Sequence, residues 1–335
     1  MTIKAYTAKS PAGKLELFEY EPGELGSSEV EIDVDYCGLC HSDLSMLGND
    51  WRITEFPFVP GHEVSGRIAA LGENISHLKI GQKVGLGWFA SSCGECLSCL
   101  SGDQHLCATS TATIVHRPGG FAEKVRASAR WVFPLPEALD PAAVGPLFCG
   151  GITVFSPIII RDVKPTDRVA VIGIGGLGHM ALQFLDKWGC EVTAISTNPN
   201  KEEEARRLGA DHFINSKNGD QLDAAADRFD FILSTVNVEL EWRKYIAALR
   251  PKGKIHLVGA APKVQSSVFA LIGKEASIGA SPTGSPSNIL TMLEFAARHG
   301  IAPKTEIMPM SEINQAFEKL EKESPSHRIV LQNDF

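Results

Sequence analysis

Several common features are missing from this 335-residue chain, and each absence narrows its possible functions. There is no excess of positive charge, since 32 Lys and Arg residues stand against 40 Asp and Glu residues and the formal net charge is −8. Proteins that bind nucleic acid usually concentrate Lys and Arg, so we expect no nucleic-acid partner. An unbroken apolar run of about 20 residues, the length that spans a bilayer, is also missing.

The first twenty residues lack the apolar core of a secretory signal, and the chain has no internal repeat or low-complexity tail. We therefore expect a cytoplasmic protein without membrane association. The length suits two domains, and a hydrophobic content of 44% is enough for a core in each. Eight cysteines in such a protein are better explained by thiolates in metal or catalytic sites than by disulfides.

A glycine-rich turn lies between two apolar strands in the segment 168–201. The run VAVIG precedes the turn, an apolar helix follows it, and VTAIS reads as a second buried strand. In a βαβ unit of this kind the glycines allow a pyrophosphate to approach, and the helix N-terminus favours anions. A glycine-rich turn before an ordinary helix is the alternative, but it leaves the order of these three parts unexplained. We predict a dinucleotide site formed by Gly173, Gly175, Gly176, Leu177 and Gly178.

The end of the second strand indicates which cofactor the turn would hold. A site for NAD(H) usually has Asp or Glu there, whose carboxylate binds the ribose hydroxyls and repels a 2′-phosphate. Here the position is Ser196, followed by Thr197, Asn198 and then Lys201, with no acid before Glu202. Neutral donors and a cation suit a phosphate group. We predict NADP(H), although the same residues are also ordinary for a solvated loop.

Four cysteines stand close together in SCGECLSCLSGDQHLC, with the spacing C-x2-C-x2-C-x7-C. Structural zinc sites are tetrahedral, and a short loop containing Gly and Ser can supply all four ligands. Four free thiols on a surface loop would invite oxidation, and the spacing differs from that of ferredoxin iron–sulfur clusters. We predict a structural zinc ion, without an open coordination position, held by Cys93, Cys96, Cys99 and Cys107.

Three further segments carry metal-ligand residue types, but the residues alone leave their role open. Cys40 lies in CGLCHSD, where Cys37 makes a redox pair conceivable, although no thioredoxin-like context surrounds it. His62 and Glu63 follow a Pro-Gly turn, where a lone His is usually solvated or hydrogen-bonded. Cys149 lies in an apolar helical run, where Cys is most often a small buried hydrophobe. Together, a thiolate, an imidazole and a carboxylate would suit zinc.

The pattern of predicted elements divides the chain. VEIDVDY alternates with a period of two and predicts an edge strand of a mainly β region. Strands and helices alternate from residue 153 to 286, which predicts a doubly wound parallel sheet whose last strands come from SVFALIGKEASIGASPTG. The final polar helix and strand do not fit a completed sheet. We therefore expect one domain to comprise residues 1–152 and 287–335, and the other residues 153–286.

Assembled in order, these segments resemble the zinc-dependent medium-chain alcohol dehydrogenases nearly from end to end. The resemblance rests on CGLCHSDLSM, PFVPGHEVSGRI, the four-cysteine loop, GGFAEK, LFCGGITVF, GIGGLGHMA and HRIVL. It is closest to the cinnamyl-alcohol-dehydrogenase-like branch, which includes bacterial NADPH-dependent aldehyde reductases. It implies an α/β chain with a GroES-like, mainly β catalytic domain and a Rossmann cofactor domain, two zinc ions, and reversible reduction of aldehydes to primary alcohols.

The resemblance also implies roles at the catalytic zinc. Its ligands would be Cys40, His62 and Cys149, with a water or substrate oxygen in the open position. Glu63 would lie next to the metal as an exchangeable fourth ligand. Asp43 would hold the imidazole in its metal-binding tautomer.

Further implied roles concern the cofactor and the proton. His41 would face the cofactor pyrophosphate, Thr153 the nicotinamide and Arg328 a phosphate. The zinc would act as a Lewis acid on the aldehyde oxygen while NADPH supplies hydride, and Ser42 would pass a proton. Many relatives have a histidine three positions after this hydroxyl, whereas this chain has Ser45. We therefore expect a pH profile without an imidazole contribution.

Two alternatives to this function are an NAD-preferring alcohol dehydrogenase and a non-catalytic protein that binds zinc or nucleic acid. The acidic balance and the intact glycine turn favour the enzyme. Trp51 and Trp88 are consistent with an apolar channel for an aldehyde or alcohol, although large aromatic residues are more often part of a core. The resemblance further implies a homodimer joined near the segment Phe269 to Gly284.

Overall fold

The computed structural model describes residues 2–323 and 327–335. The chain forms two compact units. The first unit comprises Met1–Cys149 and Ser285–Phe335, and the second unit comprises Gly150–Gly284. The chain leaves the first unit after Cys149 and returns to it at Ser285.

Strands and helices are numbered separately in chain order. The strands are β1 Ile3–Thr7, β2 Glu16–Tyr20, β3 Glu29–Leu39, β4 Glu63–Leu71, β5 Lys83–Leu86, β6 Phe89–Ser91, β7 Thr111–Ala112, β8 Lys124–Ser128, β9 Val132–Pro134, β10 Arg168–Ile172, β11 Glu191–Ser196, β12 His212–Asn215, β13 Phe229–Ser234, β14 Leu249–Leu257, β15 Ser277–Ala280, β16 Thr305–Pro309 and β17 Arg328–Gln332. The α-helices are α1 His41–Gly48, α2 Leu97–Leu100, α3 Pro141–Val144, α4 Gly150–Ile160, α5 Gly178–Trp188, α6 Glu202–Arg207, α7 Gly219–Asp223, α8 Trp242–Ala248, α9 Val268–Ile272, α10 Pro286–His299 and α11 Ile313–Glu323. Short 3-10 helices cover Gln104–Leu106, Ala129–Trp131, Gly145–Phe148, Pro199–Lys201 and Met310–Glu312.

The second unit is built on a six-stranded parallel sheet with the order β12-β11-β10-β13-β14-β15. Its central strands are almost continuously apolar and buried, as expected for parallel strands covered on both faces. Strand order reverses between β10 and β13, so the carboxyl ends of these strands form the switch point at which such sheets bind ligands. The predicted doubly wound sheet is confirmed.

The glycine turn lies at this switch point, immediately after β10. Gly173 has a φ of 89°, a left-handed conformation that a side chain would strain. A Cβ at Gly178 would overlap the carbonyl oxygen of Gly173, so the third glycine allows α5 to begin close to the turn. A Cβ at Gly175 would meet no atom of the described residues within 4 Å, so a side chain at this position would point into open space.

The first unit is built on a mainly antiparallel seven-stranded sheet. Six strands follow the order β16-β17-β3-β4-β5-β9, and β8 also pairs with β3. The eleven residues of β3 therefore have partners on both sides, with β4 on one side and β8 followed by β17 on the other. Separate two-stranded sheets join β1 to β2 and β6 to β7.

Two local predictions were wrong. The segment VEIDVDY was predicted as an edge strand, but β3 is central, and most of its residues are buried rather than alternating cleanly between core and solvent. The segment SVFALI was predicted as a strand, but it forms the short helix α9, and only β15 follows it. Short apolar runs are compatible with either state, and the register of distant partners decides between them.

Among residues 2–323 and 327–335, no single helix is both long enough and apolar enough to cross a membrane. The consecutive helical stretches Pro141–Phe148 and Gly150–Ile160 satisfy that test only when they are counted together, despite the bend between them. Such a pair is weak evidence of a membrane span, because buried core helices satisfy the same test.

Candidate metal centres and dinucleotide-binding turn

Two groups of metal-ligand side chains assemble in the first unit. In each group, four ligand atoms all lie within 4.8 Å of one another. One group consists of Cys93, Cys96, Cys99 and Cys107, and the other of Cys40, His62, Glu63 and Cys149. The second group is entirely buried, whereas the first is partly exposed.

The second group draws its ligands from the ends of separate elements. Cys40 lies between β3 and α1, His62 immediately precedes β4, and Cys149 lies between the 3-10 helix Gly145–Phe148 and α4. A helix or strand fixes the backbone of a residue at its end, and the side chain of that residue can still point towards a common site. The fold thus brings together three ligand positions that are 22 and 87 residues apart in the sequence.

Asp43 fixes the imidazole of His62. Its Oδ1 accepts hydrogen bonds from His62 Nδ1 at 2.9 Å and from the backbone N–H of Gly61 at 2.8 Å, and its Oδ2 accepts one from the backbone N–H of Cys40 at 3.0 Å. Because a carboxylate only accepts, Nδ1 carries the proton, and in the neutral ring this leaves the lone pair on Nε2. Nε2 lies 3.3 Å from Cys149 Sγ, on the side of the other ligands. This is the tautomer that binds a metal.

The spacing of the donor atoms fits a zinc ion. Cys40 Sγ and Cys149 Sγ are 3.9 Å apart, close to the roughly 3.8 Å expected for two sulfurs each about 2.3 Å from a tetrahedral zinc. A hydrogen bond between these thiols lowers the pKa of Cys40 and raises the pKa of Cys149. Two sulfurs and an imidazole nitrogen, with one position left open, are the donor set of catalytic zinc.

Glu63 and Arg328 form a buried ion pair beside these ligands. Arg328 Nη2 donates to Glu63 Oε1, and both side chains are almost completely buried. The other carboxylate oxygen, Oε2, is buried and has no hydrogen-bond partner within the described part of the chain. Burial raises the pKa of Glu63 to about 7, although Arg328 opposes the rise. Glu63 is thus held by a cation and still has one oxygen without a partner.

Strand order explains this pair. Gly38 on β3 is paired with Glu63 on β4 and with Val330 on β17. A Cβ at Gly38 would overlap the carboxylate of Glu63, so the missing side chain lets Glu63 lie across β3 towards Arg328 on β17. The family resemblance implied that Arg328 faces a cofactor phosphate, and this role stays a prediction. The structure shows Arg328 in contact with Glu63, and the glycine near the end of β3 was the one signal in the sequence for that contact.

The four-cysteine group forms a compact lobe around α2 and the following 3-10 helix. Cys93 Sγ lies 3.8 Å from Cys99 Sγ and 3.6 Å from Cys107 Sγ, again near the sulfur spacing of a tetrahedral zinc thiolate site. Hydrogen bonding from Thr109 helps to lower the pKa of Cys107 to about 6, which favours the thiolate. All four positions of a tetrahedral ion would be filled by sulfur, so this site has no room for a substrate.

The predicted phosphate-binding residues lie at and after the end of β11 in the second unit. Ser196 ends β11, and its Oγ accepts from the backbone N–H of Asn198 at 3.1 Å. Thr197, beside them, is exposed. Lys201 Nζ donates to the carbonyl oxygen of Ile174, inside the turn, at 2.6 Å. The predicted cation therefore lies beside the predicted glycine turn.

Sequence reasoning missed two other residues at this turn. Thr235 Oγ1 lies 2.9 Å from the carbonyl oxygens of both Ile172 and Gly173, and His179 Nδ1 lies 3.2 Å from that of Gly175. Thr235 follows β13, and only the parallel pairing of β13 with β10 brings it close. His179 directly follows Gly178, so its position was available in the sequence.

The remaining predicted residues are distributed over both units. His41 and Ser42 form the first turn of α1, where His41 is exposed and Ser42 is half-buried. Thr153 is half-buried on α4 of the second unit. Trp88 packs edge-on against the ring of His62, with a centroid separation of 5.0 Å, and Trp51 packs against Trp88 at 5.9 Å. Trp88 therefore lies next to a candidate zinc ligand, and Trp51 packs against Trp88.

Fold and metal-ligand geometry together define the class. A glycine turn at the switch point of a doubly wound sheet, and two zinc-type ligand groups in a mainly β unit, are the parts of a zinc-binding dehydrogenase. Residues 26–137 match the family of the alcohol dehydrogenase GroES-like domain, and residues 176–298 match the family of zinc-binding dehydrogenases. The chain belongs to the zinc-dependent medium-chain alcohol dehydrogenases, in their cinnamyl-alcohol-dehydrogenase-like branch.

Individual relatives cover nearly the whole chain. The protein is 51% identical over 330 residues to the aldehyde reductase AdhA of Synechocystis, covering 98% of both chains. It is 36% identical to the aldehyde reductase YahK of Escherichia coli, covering 99% of this chain and 97% of that one. A cinnamyl alcohol dehydrogenase of Sorghum bicolor superposes with a TM-score of 0.94 at 34% identity, covering 99% and 98% of the two chains. The cinnamyl alcohol dehydrogenase of Helicobacter pylori, solved with NADP(H), superposes with a TM-score of 0.90 at 27% identity, covering the same shares.

Replacing Cys149 with Ser should remove one zinc ion from each chain without unfolding the protein. We expect elemental analysis to fall from two zinc ions per chain to one, with at least about a tenfold loss of alcohol dehydrogenase activity, because an alcohol is a much weaker zinc ligand than a thiolate. Cys190→Ser is the matched control, since Cys190 is also buried but lies outside both ligand groups. Full turnover by Cys149→Ser would contradict the assignment.

Replacing Cys99 with Ser should instead act on stability. Zinc binding by a short loop is coupled to the folding of that loop, so we expect a melting temperature lower by on the order of 5 °C and again one zinc ion per chain. Thermal unfolding measured beside Cys149→Ser provides the comparison. An unchanged melting temperature for Cys99→Ser, together with two retained zinc ions, would show that Cys99 is not a zinc ligand.

Proposed function

We propose that the protein reduces aldehydes to primary alcohols with NADPH, at a zinc ion held by Cys40, His62 and Cys149. The observation that carries the proposal is the buried ligand group, in which Asp43 directs the free lone pair of His62 towards Cys149. The reaction is reversible, so the same site oxidises alcohols. Support also comes from relatives named as aldehyde reductases at 51% and 36% identity.

NADP(H) is supported by the end of β11. Ser196 stands where an acidic residue would bind the ribose of NAD(H), and the ammonium of Lys201 lies beside the glycine turn. A 2′-phosphate would meet a hydroxyl and a cation there instead of a carboxylate. The Helicobacter pylori relative was solved with NADP(H), which agrees with this choice.

The side chains around the zinc site have separate tasks. Bound there, zinc supplies Lewis-acid stabilisation of negative charge on the substrate oxygen, and the cofactor supplies hydride. Asp43 keeps His62 in one tautomer and orientation, so that no reorganisation is needed during turnover. Arg328 neutralises Glu63, which limits the negative charge close to an oxygen that itself becomes negative.

The product alcohol needs a proton, and helix α1 carries the hydroxyl that we assign to its delivery. Ser42 is half-buried on the first turn of α1, two residues after the ligand Cys40. Ser45 lies one turn further along the same face, because residues three apart on a helix are neighbours. Two successive hydroxyls can pass a proton along, and neither of them titrates near neutral pH. This path therefore adds no imidazole titration to the pH profile.

An apolar substrate is supported by the surroundings of the zinc ligands. Trp88 packs against the ring of His62, and Trp51 packs against Trp88. Small-molecule sites are usually lined by hydrophobic and aromatic side chains of this kind. We therefore propose aromatic or medium-chain aliphatic aldehydes as the substrate class.

We also propose a catalytic role for the first unit and a cofactor-binding role for the second. The domain boundaries predicted from the sequence, 1–152 with 287–335 and 153–286, lie within three residues of those of the two units. All eight cysteines are free thiols in the structure, which favours a reducing compartment, and we propose the cytoplasm.

A homodimer is supported by one surface of the second unit. Val268, Phe269 and Ile272 are 67%, 85% and 65% exposed on α9, next to β15 at the end of the six-stranded sheet. An apolar helix beside an edge strand is an interaction surface, because strand edges present unpaired backbone groups and apolar side chains lose contact with water on association.

Replacing Ser196 with Asp should reverse the cofactor preference. A carboxylate there would repel a 2′-phosphate and bind ribose hydroxyls, so we expect the KM for NADPH to rise by more than about tenfold while the KM for NADH falls or stays constant. Initial rates with one aldehyde and each cofactor measure both. Asn has nearly the same shape as Asp but no charge, so Ser196→Asn should keep the preference for NADPH. Equal changes in KM with both cofactors would contradict this assignment.

Replacing Phe269 with Glu should dissociate the dimer. A charge in the centre of an apolar interface is costly to bury, so we expect light scattering to report a monomer at micromolar concentration. Leu97→Glu is the matched control, because Leu97 is 81% exposed on the four-cysteine lobe, outside the proposed interface. The proposed interface fails if Phe269→Glu stays dimeric, or if Leu97→Glu dissociates to the same extent.

A further inference from the structure

Four consecutive carbonyl groups, from Ile172 at the end of β10 to Gly175 in the glycine turn, lie within hydrogen-bond distance of side chains. Thr235 Oγ1 contacts the carbonyl oxygens of Ile172 and Gly173, both at 2.9 Å. Lys201 Nζ donates to the next carbonyl, of Ile174, at 2.6 Å, and His179 Nδ1 lies 3.2 Å from the carbonyl oxygen of Gly175. Since a carbonyl only accepts, His179 carries its proton on Nδ1. Three side chains from three different elements therefore hold one short turn.

Holding the carbonyls also fixes the N–H groups. In a trans peptide the C=O and N–H bonds point to opposite sides, so a carbonyl turned towards Thr235, Lys201 or His179 turns the next N–H away from it. Anions bind to turns through such N–H groups, and a carbonyl oxygen that faced the anion would repel it. The three side chains thus remove the carbonyl oxygens from the side on which an anion approaches.

A turn rich in glycine needs this support. Glycine has more backbone freedom than any other residue, and ordering it costs free energy that binding would otherwise have to supply. The surroundings leave little room for rearrangement, because a Cβ at Gly173 would collide with Val236, and a Cβ at Gly259 would overlap the backbone of that same residue. The segment Thr235–Val236 is thus fitted between two glycine positions, which holds the hydroxyl of Thr235 against the turn.

We propose that Thr235, His179 and Lys201 are positioning residues that preorganise the glycine turn for the diphosphate of a dinucleotide. This rests on the proposed function, since it assigns the ligand of the turn. NADPH and NADH carry the same diphosphate, so Thr235 and His179 affect both cofactors equally. Lys201 has a second task at the 2′-phosphate, so it affects NADPH more than NADH.

The decisive experiment is equilibrium binding of NADPH and NADH to the full-length, zinc-loaded protein, read by the fluorescence of the reduced nicotinamide. Thr235→Val keeps the shape and removes the hydroxyl, and we expect both dissociation constants to rise by the same factor, between about twofold and tenfold. Thr235→Ser restores the hydroxyl and should restore both constants. In steady state, the KM for the cofactor should rise more than kcat falls, a split that a general loss of folded protein would not give.

Two further variants separate the possible outcomes. Lys201→Met should weaken the binding of NADH by about twofold to tenfold and the binding of NADPH by more, and the side chain that it replaces is only half-buried. Gly175→Ala adds a methyl group where the protein leaves open space, so it should weaken both cofactors only if the diphosphate lies there. If Thr235→Val and Lys201→Met both bind NADH as tightly as the wild type while Gly175→Ala binds it more weakly, the inference is wrong and the proposed function is unaffected. Wild-type binding by Gly175→Ala would overturn the placement of the cofactor in the proposed function.

Discussion

One buried carboxylate determines the geometry of the candidate active site. Asp43 is 0% exposed and accepts three hydrogen bonds, from the backbone of Cys40, the backbone of Gly61 and the ring of His62. Burying an ionised carboxylate costs free energy unless hydrogen bonds replace those it made to water. Breaking any of these three bonds would leave part of that free-energy cost uncompensated. The same group therefore joins the start of α1 to the turn before β4, and aligns two metal ligands that are 22 residues apart.

The two ligand groups illustrate how far sequence alone reaches. The four cysteines from Cys93 to Cys107 lie within one loop, so their spacing was enough to predict a zinc site. The other group depends on the sheet of the first unit, and its role could be predicted only from the family resemblance. Glu63 and Arg328 are 265 residues apart and meet because β3 lies between their strands and has Gly38 at the crossing point. Nothing local to either residue indicates this contact.

The glycine turn shows the same division within the second unit. Its strand, glycines and helix are contiguous, and the sequence predicted them together with the cation Lys201. Thr235 comes from the far side of the switch point, and parallel strand pairing alone places its hydroxyl against the turn. The wrong predictions for β3 and α9 have a related cause. Periodicity describes the faces of an isolated segment, whereas the number of neighbouring strands, or the choice between helix and strand in a short apolar run, is decided by distant partners.

The central claim is that Asp43 and the ends of β3, α1 and β4 assemble a zinc site with two sulfurs and one nitrogen, distinct from the four-sulfur site of the lobe. Anomalous diffraction from crystals of the purified protein at the zinc absorption edge tests this most directly. The account predicts two peaks per chain, one enclosed by the four cysteines of the lobe and one bounded by Cys40, His62 and Cys149. A single peak in the lobe, in crystals of a protein that still reduces aldehydes, would contradict it.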